Sequence, residues 1–122
     1  MTERSSTRAV PPSGYIIQEA LSFVRRHLSE GIGVDDVVKH LGASHSLVRE
    51  RFRTVHGKSL RDVILDMRIK AAMSLLSRTK ASVREIALKV GFSSDTHFVR
   101  YFKKKTSTTP TAYRNSPTRH RF

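Results

Sequence analysis

The chain has 122 residues, enough for one domain with a modest core, and 38% of them are apolar against 27% charged. It carries 23 Lys and Arg against 10 Asp and Glu, a net charge of +13, and it has no cysteine. These figures exclude a disulfide framework and a thiolate metal site, and no apolar run approaches the roughly eighteen residues a membrane span needs.

Residues 1–12 are polar, end in Pro11-Pro12 and read as a linker or flexible tail. Charges without an apolar run after them, Met1 to Ala9 do not form a secretory signal, which suits a cytoplasmic protein. Ser13 is placed to cap a helix running to about Glu30, with Ile16, Ile17, Ala20, Leu21, Val24 and Leu28 as its core stripe. Gly31 and Gly33 end it. A short helix from Val34 to Leu41 follows, with Asp35 and Asp36 in the first turn, where carboxylates suit the helix dipole. Gly42 stops that helix and Ser44 caps the next, from His45 to about Val55, which buries Val48, Phe52 and Val55.

Ser59-Leu60-Arg61-Asp62 reads as a capping box opening a long helix to about Ser77. Its inward residues are Leu60, Val63, Ile64, Met67, Ala71, Leu75 and Leu76. Ser82-Val83-Arg84-Glu85 is a second capping box, before a short helix to Lys89 that Gly91 breaks. Ser94 or Asp95 starts a helix to about Lys105 that buries Phe98, Tyr101 and Phe102. Thr109-Pro110, an N-cap with Pro at the first helical position, opens a last short helix near Tyr113. No alternating strand pattern occurs, so the fold class is all-α, with seven helices.

The layout repeats. Val38 to Gly42, then Ser44, Val48 and Phe52-Arg53, matches Ala87 to Gly91, then Ser94, Phe98 and Phe102-Lys103. Each copy is a short helix, a glycine turn and a longer helix, the layout of a helix-turn-helix whose second helix can lie in a major groove. The two units, about 32–58 and 82–109, are joined by a linker helix over about 59–77 within a domain spanning 13–115, and 116–122 form a basic tail. The charge agrees, because a strongly positive field gathers polyanions and displaced counterions drive nucleic-acid binding. Acidic lipid is the other polyanion. It requires a Lys/Arg face opposite a large exposed apolar face, whereas the stripes here read as core.

The sequence resembles the DNA-binding domain of the AraC/XylS family of bacterial regulators over Ile32 to Arg114. The resemblance rests on Ile86-Ala87, Gly91-Phe92-Ser93, Phe98, Arg100, Phe102-Lys103-Lys104, Thr109-Pro110 and Tyr113-Arg114, with Arg68, Ala71 and Leu75-Leu76 on the linker helix. Tyr15 to Arg26, Val48 to Arg53 and Thr108-Thr109-Pro110 look like the branch of xylose-operon activators. The chain departs from the family pattern at three positions. Ser107 stands where Gly is usual, Arg51 where an apolar residue is usual, and Glu50 where Arg is common.

The resemblance places base contacts six, three and two residues before the helix phenylalanine, here Ser46, Arg49 and Glu50, and again Thr96, Val99 and Arg100. Arg53 shares the first set's non-core face. Arginine can bind guanine O6 and N7 in bidentate fashion, glutamate can accept from cytosine N4, and valine can meet a thymine methyl. The alternative for Arg49 and Glu50 is a solvated face or a contact to phosphate only, and Val99 reads equally as core. Backbone phosphates fall to His45, His97, Lys103, Lys104 and Lys105, and to the helix starts at Ser44, Ser82 and Ser94.

The implied function is sequence-specific binding of promoter DNA, with RNA polymerase as partner and activation of a catabolic operon, with a sugar operon as the narrower expectation. A nonspecific nucleic-acid binder and a basic protein-interaction module are the rival classes. The first lacks the aromatic stacking platforms of single-strand readers. Family relatives carry an N-terminal sensor or dimerisation domain; none fits in residues 1–12, so the chain is either a fragment or a stand-alone member. His27, His40, His56 and His120 lack metal-ligand spacing, and Asp35-Asp36 and Asp62-Asp66 are assigned to capped or exposed helix faces. Neither an enzyme, a metal nor a cofactor is expected.

Overall fold

The computed structural model describes residues 13–116. The expectations for the 1–12 tail, for residues 117–122 and for His120 lie outside them. Among the described residues there are seven α-helices and no strand: α1 (Ser13–His27), α2 (Val34–Leu41), α3 (His45–His56), α4 (Leu60–Arg78), α5 (Val83–Lys89), α6 (Asp95–Thr106) and α7 (Pro110–Asn115). Helices α2 and α3 form one helix-turn-helix, α5 and α6 the other, and α4 joins them.

Local chemistry sets most of the boundaries. The hydroxyls of Ser44, Ser59, Ser82, Ser94 and Thr109 each accept the amide of the residue three positions on, satisfying a donor that the first helical turn leaves open. The Glu85 carboxylate also accepts the Ser82 amide, completing the expected capping box, whereas at Ser59 only the forward bond from Asp62 forms. Ser13 already lies within α1 rather than capping it, and α1 ends at His27, with Leu28–Glu30 tightening into a 3-10 turn before a left-handed Gly31. Ser107 adopts φ 64°, so the position where the family pattern has glycine keeps the left-handed turn.

Two cores divide the molecule, and α4 belongs to both. Leu60, Val63 and Ile64 pack with Ile17, Val24, Val37, Val48 and Phe52 in the first. Leu65, Ile69, Ala72, Met73 and Leu76 pack with Ile86, Phe92, Phe98, Phe102 and Tyr113 in the second. Covered from several sides, α4 buries Leu65, Ile69, Ala72 and Met73 beyond the single stripe expected, while Met67, Ala71 and Leu75 are only half-buried.

Three further expectations are corrected. Val55 lies on the α3 core stripe but is 54% exposed, because the last turn of α3 projects beyond the helices that cover Val48 and Phe52. Tyr101 is half-buried, with its hydroxyl donating to the Asp66 carboxylate at 3.5 Å. Asp66 is buried rather than on an exposed face.

Buried charges on α4 tie the two units together. The Arg68 guanidinium donates from Nε to the Val90 carbonyl at the end of α5 (3.1 Å) and from Nη2 to the Ile32 carbonyl just before α2 (2.6 Å). Asp66 is held by Lys58 of the α3–α4 turn (2.6 Å) and by Lys105 of α6 (3.3 Å). At Gly91 (φ 101°) the units touch so closely that a Cβ would lie 2.2 Å from the Leu28 carbonyl oxygen and 2.6 Å from Arg68 Nε.

Denaturation should reveal this contact. Gly42→Ala, where φ is 68° and a Cβ meets nothing within 4 Å, is expected to cost about 1–2 kcal/mol from left-handed strain alone. Gly91→Ala adds overlap with backbone and guanidinium and is expected to cost about 3 kcal/mol or more. Equal costs would show that the units are not in contact there. Conversely, Ser107→Gly removes left-handed strain and is expected to stabilise by up to about 1 kcal/mol.

Tyr101 gives a pH signature for the Asp66 junction. Burial, and then the Asp66 charge, push the phenol up to about 12 from an ordinary value of 10.0. The folded state therefore keeps the proton longer than the unfolded chain does. Its stabilising effect is complete below the ordinary phenol value and disappears as pH rises towards about 12. Tyr101→Phe should flatten the stability profile in that alkaline window; an unchanged profile contradicts the assignment.

Candidate nucleic-acid interface

Each helix-turn-helix commits one side of its second helix to the core and leaves the other open. On α3, Val48 and Phe52 are buried, while Ser46, Arg49, Glu50 and Arg53 are exposed. On α6, Phe98 and Phe102 are buried, while Thr96 and Arg100 are exposed. Val99 has features of both the core and the groove reading. It is half-buried against the second core, yet it also lines a shallow hollow with Asp95, Thr96 and Arg100. A methyl at the edge of such a hollow can contact another apolar group without a large desolvated surface.

The two open faces differ in charge. Glu50 lies 3.8 Å from Arg51, so its carboxylate is partly balanced by a neighbour on its own helix. Arg51 occupies a usually apolar position by burying its stem, which leaves its Nε without a hydrogen-bond partner. Arg100 is exposed and forms no ion pair within 4 Å among the described residues, although Asp95 shares its hollow.

The residues expected at phosphates fall into two groups. Lys103 and Lys104 are exposed on the last turn of α6. Ser44 and Ser94 stand exposed at the starts of α3 and α6, where the helix dipole favours anions. His45 is exposed but engaged with Asp35 at 2.8 Å, and His97 is half-buried, edge-on to Phe92.

Lys105 and Ser82 belong to the second group, which the structure uses internally. The Lys105 amine is turned to Asp66 and lies 5.9 Å from the Tyr101 ring centre. At Ser82, hydrogen bonds from its amide and hydroxyl hold Glu85 below the ordinary carboxylate range, so an anion already occupies that helix start.

Sequence reasoning missed the pairing of Asp66 with residues of both units and the junction role of Arg68. The available signal was a pair of charges set into an otherwise apolar stretch of α4. Among the described residues, no group of three His, Cys, Asp or Glu could hold a metal ion, and no helix is long and apolar enough to cross a membrane.

A helix-turn-helix domain family model matches residues 37–116. The chain is 34% identical over 113 residues to the xylose operon regulatory protein of Escherichia coli, covering 93% of this chain and 29% of that protein. It therefore spans under a third of the length of that relative. It is 31% identical over 100 residues to regulatory protein SoxS of Escherichia coli, covering 82% of this chain and 94% of SoxS. The fold also matches the crystal structure of the DNA-binding domain of AdpA, a global transcriptional factor, in complex with a target DNA. There the TM-score is 0.75 at 25% identity, over 86% of this chain and 91% of that one. With two capped helix-turn-helix units in one fold and these similarities across most of its length, the chain belongs to the AraC/XylS-type family of DNA-binding transcriptional regulators.

Proposed function

We propose that the chain reads a specific, asymmetric promoter site on duplex DNA, with α3 and α6 in successive major-groove segments. The observation that carries this reading is the matching pair of open faces, each on a serine-capped helix and each presenting an unburied arginine, Arg49 and Arg100. Arg49 and Arg100 contact guanines, Glu50 accepts from a cytosine amine, and Val99 meets a thymine methyl. Ser46, Arg53 and Thr96 flank these contacts. Ser44, His45, Ser94, His97, Lys103 and Lys104 hold the phosphate backbone, while Lys105 stays on Asp66 and Glu85 leaves Ser82 little room for an anion.

The domain acts as an activator that positions or recruits RNA polymerase at a catabolic operon, together with a sensor domain. Similarity to the xylose operon regulator supports a sugar operon. A footprint on promoter DNA, competed with random DNA, tests the reading: protection that survives the competitor supports it, and protection lost in proportion to competitor contradicts it.

Affinity should fall steeply with salt. For about six phosphate contacts, log K against log[salt] has a slope near −5, and a slope near zero would remove charge from the account. Replacing Lys103 and Lys104 by Ala should lower affinity on all sequences alike and flatten that slope. Arg100→Ala should cost about 1–3 kcal/mol on the cognate site and much less on random DNA. An equal loss on both would make Arg100 a phosphate contact.

A further inference from the structure

On the side of α4 that faces the gap between the units, Arg61, Leu65 and Arg68 follow one another at helical spacing. They line an open cleft of about 470 Å³. Leu65 and Arg68 are buried, but Arg61 is exposed, and no hydrogen bond or ion pair is recorded for its guanidinium among the described residues.

Arg61 borders both recognition elements. It shares a hollow with His45 and Arg49 at the start of α3, and the cleft's other wall carries Ser93 and His97 at the start of α6. The near wall also carries two carboxylates, Asp35, which accepts from His45, and Asp36, which accepts the Gly33 amide. Arg61 is the exposed guanidinium of this gap, and its charge also acts on the Tyr101 phenol of α6.

Two helices in successive major-groove segments on one face of a duplex leave the intervening minor groove turned towards the protein between them. A narrow minor groove concentrates negative potential and attracts arginine, and its width depends on sequence. We infer that Arg61 enters the minor groove of the DNA spacer between the two subsites and makes binding depend on spacer width. This rests on the two-groove reading above and adds a contact to bases that neither recognition helix touches. Lysine is a poorer substitute, because its compact, strongly hydrated ammonium gives up water less readily than guanidinium.

The test uses the site defined by footprinting, in two duplexes with identical subsites and either an A-tract or a G·C-rich spacer. The wild-type chain is expected to bind the A-tract duplex several-fold tighter. Arg61→Ala should bind the two alike, and Arg61→Lys should keep only part of the preference. Thermal melting of each variant confirms that the exposed substitution leaves the fold intact. A spacer preference retained in Arg61→Ala, an equal loss on both duplexes, or no preference in the wild type would each overturn the inference while leaving the two-groove reading in place. Failure of the wild type to distinguish the subsites from random DNA would overturn both.

Discussion

The Arg68 guanidinium is a charge held out of water in the helix that both cores share, and its exposure is only 7%. Burial pulls its pKa below the ordinary arginine value, a sign of the desolvation it bears. That cost is tolerable only because the guanidinium finds two backbone carbonyls, and those belong to different units. The long side chain thereby converts two helix-turn-helix units into one body. The Gly91 turn depends on the same contact, since it brings the second unit's backbone against Leu28 and Arg68.

Asp66 repeats the device with the opposite sign. Lys58 from the first unit and Lys105 from the second converge on one carboxylate, with the Tyr101 hydroxyl beside it. Apolar residues of similar size could match this stability, but they would specify the arrangement less sharply than groups that must meet partners at fixed distances. With 19 residues, α4 spans about 28 Å, close to the roughly 34 Å between successive major grooves once the flanking helices are added. For a reader of two grooves, a fixed orientation matters more than additional stability. A loose linker would let each unit bind separately and would lose the advantage of joining them.

Local rules exposed most of the helices. Serine and threonine caps, glycine stops and the 49-residue repeat between Gly42 and Gly91 depend only on nearby residues, and they placed the elements within a few positions. Single-face periodicity failed on α4, because a helix shared by two cores has no single inward stripe. It failed again at Val55, where angular position is right but no helix covers the turn. The open sides of α3 and α6 were legible because phenylalanine and valine marked the buried ones. Lys105 and Ser82 were not, because their partners, Asp66 and Glu85, are identified by three-dimensional proximity and side-chain geometry.

The central claim is that the buried charges of α4 fix the two recognition helices in one register on DNA. The most direct measurement is affinity for the native site compared with sites in which the subsites are moved apart. The account expects joint binding to be lost when about five base pairs are inserted, since the second groove then faces away. Insertion of about ten should restore the facing but not the binding, because α4 cannot lengthen by another turn of DNA. If the ten-base-pair insertion binds as tightly as the native site, the units move independently and the claim is wrong.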